Sequence, residues 1–164
     1  MAKTMAKRQP TARKTSGTRL AAKSRAKTKK VTARAKAPRK QKFNVSHLQD
    51  GAFAEGLRSN AKYRDLGMSV ATNGLLQAHV IRMIPPCDPK EVSKRHYHDV
   101  EVQMIYVLKG WIRSEFEGAG EVTMREGTAW LQPPRIKHTV LDYSDDCEML
   151  EIILPAEFDT VTLE

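Results

Sequence analysis

The sequence predicts an all-β sandwich or barrel, and three observations predict it. From Leu75 onward, short runs rich in Val, Ile, Leu and aromatic residues recur at regular spacing; Gly, Pro and Asp clusters separate them; no helical periodicity runs between them. In chain order, Leu75 to Ile84 is a strand stopped by Pro85-Pro86, and Val102 to Leu108 is another, ended before Gly110. Trp111 to Phe116 follows, Gly118-Ala119-Gly120 turns the chain, and Glu121 to Arg125 returns. Thr128 to Leu131 sits between Gly127 and Pro133-Pro134. His138 to Tyr143 then leads through Ser144-Asp145-Asp146 into a last long strand, Cys147 to Leu154.

Alternation along Val102 to Leu108 assigns the faces. Side chains on a strand alternate sides with period two, so Gln103, Ile105 and Val107 share the interior while Val102, Met104, Tyr106 and Leu108 point outward. Both faces are apolar, so the outer one needs a cover: a second sheet, the segment from Phe43 to Met68, or another subunit.

Charge divides the chain at residue 42. Residues 1–42 hold 16 of the 28 Lys and Arg and none of the 19 Asp and Glu, so they carry +16, while the other 12 cations against all 19 acids leave the remainder at −7. The overall +9 belongs to this Lys/Arg/Ala-rich tail. With only Met5, Leu20 and Val31 as larger apolar side chains beyond Met1, the tail cannot offset its chain entropy and is expected to be disordered. It reads as an arm for nonspecific, salt-sensitive contact with nucleic acid or another polyanion, or equally as a transit-peptide-like or inert extension. It has no aromatics for base stacking. Residues 43–164 make one domain with a modest core. No apolar run is long enough to span a bilayer, which implies a soluble, cytoplasmic protein without membrane partners. Cys87 and Cys147 form no disulfide framework and are read as reduced.

The chemistry is concentrated in His96-Tyr97-His98, Gln103 and His138. Imidazoles at i and i+2 of an extended segment converge on one point; the Gln103 amide oxygen supplies a third donor if it shares their side, and His138 arrives from a distant strand. Parity puts Asp142 on the His138 side, as a hydrogen-bond partner of an imidazole, a general base, or a strand-end carboxylate facing water. Arg82, Arg113, Trp130, Tyr106 and Glu151 are further residues that could line the bowl, although Tyr106 has the wrong parity; either arginine would suit a carboxylate. His47 and His79 have no motif around them and are left outside the site.

These residues and their spacing resemble the cupin superfamily, whose motifs run G-x5-H-x-H-x3-4-E-x6-G and G-x5-P-x-G-x2-H-x3-N. Lys90, His96, His98, Gln103 and Gly110 match the first, and Gly127, Pro133, Arg135, His138 and Asp142 the second. Lys90 and Arg135 replace glycines, which is tolerable if neither position needs positive φ. Gln103 replaces the glutamate and Asp142 the asparagine. The resemblance implies a double-stranded β-helix, or jelly-roll barrel; one divalent transition metal ion (Fe, Mn, Ni, Zn or Cu) on His96, His98, Gln103 and His138; and a homodimer. Upstream, Tyr63-Arg64-Asp65-Leu66-Gly67 is similar to the lead-in of bacterial single-domain cupins, with Arg64 and Asp65 pairing across a turn or an arginine of the segment reaching the barrel mouth.

A neutral ligand set leaves the full +2 on the ion, which favours Lewis-acid work or water activation on a small oxygen-rich substrate such as a sugar acid or keto acid. The glutamine variant is similar to cupins acting on unsaturated uronates from pectin and alginate. Dioxygen chemistry, a non-catalytic small-ligand or regulatory role, and a nucleic-acid-associated protein working through its tail are the alternatives.

Overall fold

The computed structural model describes residues 38–48, 53–56 and 58–163. Eleven strands and two single-turn helices follow in order: β1 (Ala54–Glu55), β2 (Ala61–Asp65), α1 (Met68–Ala71), β3 (Gln77–Met83), α2 (Pro89–Val92), β4 (His96–Asp99), β5 (Val102–Lys109), β6 (Trp111–Phe116), β7 (Gly120–Arg125), β8 (Ala129–Gln132), β9 (His138–Tyr143), β10 (Glu148–Leu154) and β11 (Asp159–Thr162). The strands form two sheets, ordered β1-β2-β3-β10-β5-β8 and β11-β4-β9-β6-β7. Every pairing is antiparallel. Stripped of β1, β2 and β11, the two four-stranded layers have the order of a jelly roll, so the all-β expectation holds.

Part of the chain reads differently from the sequence expectation. The histidine segment is a strand, β4, and the lead-in adds β1 and β2 to one sheet edge. Two four-residue helices interrupt the β pattern. In α2, Asp88 caps the end by accepting from the Lys90 N–H at 2.9 Å, with Pro89 at the first helical position. The tail read over residues 1–42 lies outside the described residues up to residue 37. Arg39 and Lys42 already bond the folded unit, through Asn73 O (2.9 Å) and Ala71 O (2.8 Å). Among the described residues no helix is long and apolar enough to cross a membrane.

The core lies between the layers. Val107, Met124 and Cys147 are essentially sealed, with Ile105, Ile112, Tyr143 and Met149 packed around them. Strand β5 shows the expected parity: Gln103, Ile105 and Val107 are buried, and Val102, Tyr106 and Leu108 are each about two-fifths exposed. Among the described residues the lead-in extends the sheet edge through β1 and β2, and Phe43 is 95 % exposed. Both cysteines are free, and burial pushes the Cys147 thiol up to about 12, leaving it inert.

Gly110 joins β5 to β6 at φ 69°, and a Cβ there would lie 2.2 Å from Ser144 Oγ and 3.2 Å from the Cys147 backbone. Gly110→Ala therefore combines a left-handed backbone with a clash against the Ser144–Asp146 turn, and is expected to cost about 2 kcal/mol or more. Chemical denaturation of the variant checks this; an unchanged midpoint would contradict it.

Candidate metal centre

The fold brings the three motif histidines together at one end of the interior. His96 on β4 and His138 on β9 are direct cross-strand partners, their ring centroids 4.2 Å apart, and His98 lies two residues along β4 on the same side, 5.0 Å from His96. One nitrogen of each ring falls within 4.8 Å of the others. The opposite nitrogens set which ends face inward. His96 Nδ1 donates to Lys94 O (2.7 Å) and His138 Nδ1 to Ile136 O (3.0 Å); a carbonyl only accepts, so both Nε2 atoms carry lone pairs. His98 Nδ1 meets the Thr160 hydroxyl on β11 at 2.8 Å, which can accept its proton and leave the same end free. Three converging lone pairs with their outer nitrogens tied down could hold a metal ion.

Gln103 is buried beside this triad, paired in register with Gln132 on β8. Its oxygen accepts from Gln132 Nε2 (3.1 Å), and the same nitrogen lies 3.3 Å from His138 Nε2, so the amide oxygen flanks the triad. A directed hydrogen-bond chain fixes these amides. Trp130 Nε1 donates to Gln132 Oε1 (3.1 Å), Gln132 to Gln103, and Gln103 Nε2 to Glu151 Oε1 (2.6 Å); His79 Nε2 donates to the other Glu151 oxygen (2.6 Å). Every donor points toward one carboxylate. His79, Gln132 and Glu151 thus belong to the site. The signals were present in the parities of His79-Ile81-Met83 and Met149-Glu151-Ile153, but the pairing of His79 with Glu151 depends on the β3–β10 register.

Asp142 goes elsewhere. Strand β9 is paired with β6 as Arg113↔Asp142 and then Ser114↔Val140, leaving Leu141 as an extra residue. This bulge reverses the alternation: His138, Val140 and Tyr143 face inward, and Asp142 faces out beside Trp111, Arg113 and Arg125. The two arginines considered for the bowl are also outside it. Arg113 faces Asp142 and Glu121, and Arg82 pairs with Glu148 at 2.6 Å while stacking on Phe53. Arg64 and Asp65 do not pair; Arg64 holds Ser46 through its carbonyl (3.1 Å) and hydroxyl (3.0 Å), and Asp65 accepts from Gly67 N. Arg58 reaches the triad instead, its Nη2 donating to His96 Nε2. One glycine replacement does need positive φ: Arg135 sits at 61°, and its guanidinium clasps Asp99 at 2.7 and 3.0 Å, holding the end of β4. Lys90 lies in α2.

The triad lies in a cavity of about 440 Å³ whose walls include Tyr63, Ile105, Trp130 and Phe158. Residues 87–153 match the cupin domain family Cupin_2. That segment forms a cupin domain. Several solved structures share the fold at low identity. KdgF from Halomonas sp. is 17 % identical with a TM-score of 0.56, over 69 % of this chain and 95 % of that one. The polyketide cyclase RemF from Streptomyces resistomycificus is 16 % identical with a TM-score of 0.60, over 74 % and 86 %. Oxalate decarboxylase from Bacillus subtilis is 18 % identical with a TM-score of 0.55, over 76 % of this chain but 32 % of that one. Comparison with curated protein sequences gives no match.

Electrostatics at the site keep the triad neutral. Burial, then the Arg58 charge, pushes His96 down to about 3; burial, then His138, pushes His98 down to about 4; His138 is also lowered, first by burial. Burial alone would raise the Glu151 carboxyl, but the bonds from His79 and Gln103 outweigh it and hold it below the ordinary value. The glutamate charge missing at position 103 is therefore present one hydrogen bond away. For the imidazoles the sign of the linkage is fixed: folded values below the unfolded 6.5 mean that the unfolded chain binds more protons between about pH 6.5 and pH 4. Metal-stripped protein is expected to lose stability as pH falls through that window, by up to about 1.4 kcal/mol per pH unit for each imidazole. Thermal melts at pH 7 and pH 5 in the presence of chelator measure it, and equal midpoints would contradict it.

Proposed function

We propose that this cupin is a metal-dependent enzyme acting on a small oxygen-rich molecule of the sugar-acid or keto-acid kind. The observation that carries the reading is the convergence of three lone-pair-bearing imidazoles, from His96, His98 and His138, in a cavity that also holds the largely buried Glu151 carboxylate. A divalent transition ion fits these donors, with the Gln103 oxygen as a further ligand. Bound there, it supplies Lewis acidity to an oxygen of the substrate.

The chain's own residues do the rest. Glu151, in place of Asp142, is the group able to take a proton inside the cavity, and His79 behind it steadies the charge as it changes. Gln103 and Gln132 hold the carboxylate and the inner imidazole in fixed orientation. Tyr63 and Trp130 give the cavity apolar walls that exclude water from a small ligand. The structural likeness to oxalate decarboxylase and to a polyketide cyclase supports a fold that hosts chemistry on oxygen-rich molecules. The open apolar face at Val102, Tyr106, Leu108 and Leu131 suits packing against a second copy in a homodimer.

The test is turnover. Metal-loaded protein incubated with a panel of sugar acids and keto acids should convert at least one, lose that activity on chelation, regain it on reloading, and lose it in Glu151→Gln. Tight, metal-dependent binding with no conversion of any bound acid would replace this reading with that of a ligand-binding cupin.

A further inference from the structure

We propose that Arg58 is the carboxylate anchor of the cavity, so that the molecule taken up is a small acid held between this guanidinium and the ion on the histidines. The inference rests on the metal-dependent reading above and adds the charge of the substrate to it. Arg58 stands just before β2, half-buried at the cavity wall. Its Nη2 donates to His96 Nε2, the lone pair an ion would take. When that lone pair is taken, the N–H loses its acceptor while still facing the cavity, which leaves a charged donor available to a ligand. A guanidinium and a divalent ion then face the same small volume. The single charge of Glu151, held by His79 and Gln103, offsets only part of this positive charge.

An incoming carboxylate resolves both problems. Its planar pair of oxygens matches the guanidinium fork, and its negative charge offsets a further part of the positive charge. No other arginine near the site competes for the role: Arg64 is spent on Ser46, Arg82 on Glu148, Arg95 on Glu115, Arg113 on Glu121 and Asp142, and Arg135 on Asp99. Among the described residues, no carboxylate forms an ion pair with Arg58.

Calorimetric titration with pyruvate and its neutral analogue pyruvamide tests the assignment. Wild-type protein loaded with its metal should prefer pyruvate by about tenfold or more, the range of a charge-assisted pair. Arg58→Gln keeps an N–H donor but removes the charge; it should bind the metal at wild-type stoichiometry and lose the preference, while Arg58→Lys should recover part of it. Equal preference in wild type and Arg58→Gln, or none in wild type, overturns the proposal. The same pair of titrations on protein that binds no ion keeps the two readings apart. There an Arg58-dependent preference for pyruvate supports the anchor while the metal reading fails, and its absence overturns the anchor as well.

Discussion

His96→Ala and His138→Ala are each expected to weaken divalent-ion binding by more than about 100-fold, beyond what loss of an outer hydrogen-bond partner costs a metal site. The two side chains face each other across β4 and β9, so each substitution removes one of three converging nitrogens while the ladder that carries it stays paired. Stability should move the other way in acid. Both rings are neutral and desolvated when folded, and truncating His96 removes a group that the unfolded chain protonates first. The alanine variants should therefore be less acid-sensitive than the metal-stripped wild type, although a cavity is left behind. Metal affinity by competition with a chromogenic chelator, alongside melts at two pH values, reads both effects. A variant that binds the ion as tightly as wild type would remove its histidine from the centre.

Glu151→Ala is expected to cost about 3–5 kcal/mol in stability and to weaken metal binding by about 10–100-fold. The carboxylate is the single end point of the chain running from Trp130 through Gln132 and Gln103, with His79 on its other oxygen. Its removal leaves two buried donors without an acceptor and frees the Gln103 amide to flip, which would turn its nitrogen toward the triad. Glu151→Gln should cost less stability, since one oxygen still accepts, yet lose the anionic charge. Denaturant unfolding separates the two variants; equal stability of wild type and Glu151→Ala would mean that the chain does not end on this residue as described.

Much of this site is legible in the sequence because pleating is a local property. The spacing of His96 and His98, the inward parity of Gln103 and the bounds of β6 and β9 follow from period-two alternation and turn residues that act within a few positions. What alternation cannot reveal is a bulge. Leu141 shifts the register by one residue, so the same parity that brings His138 inward sends Asp142 out to Arg113. Cross-sheet partners are hidden for a different reason. Glu151 meets His79 across 72 positions of sequence, and Arg58 meets His96 across 38, through pairings that no local pattern encodes. Arg135 shows the limit of motif matching: the glycine position keeps its left-handed backbone, and a bidentate ion pair to Asp99 accompanies the residue that replaced it.

The central claim is that the three imidazoles share one ion. Elemental analysis of tag-free protein, before and after reconstitution with Fe, Mn, Ni, Zn or Cu, tests it most directly. Wild-type protein should hold close to one ion per chain, lost in His96→Ala and His138→Ala. Wild-type protein that takes up none of the five ions, while folded by thermal melt, would contradict it.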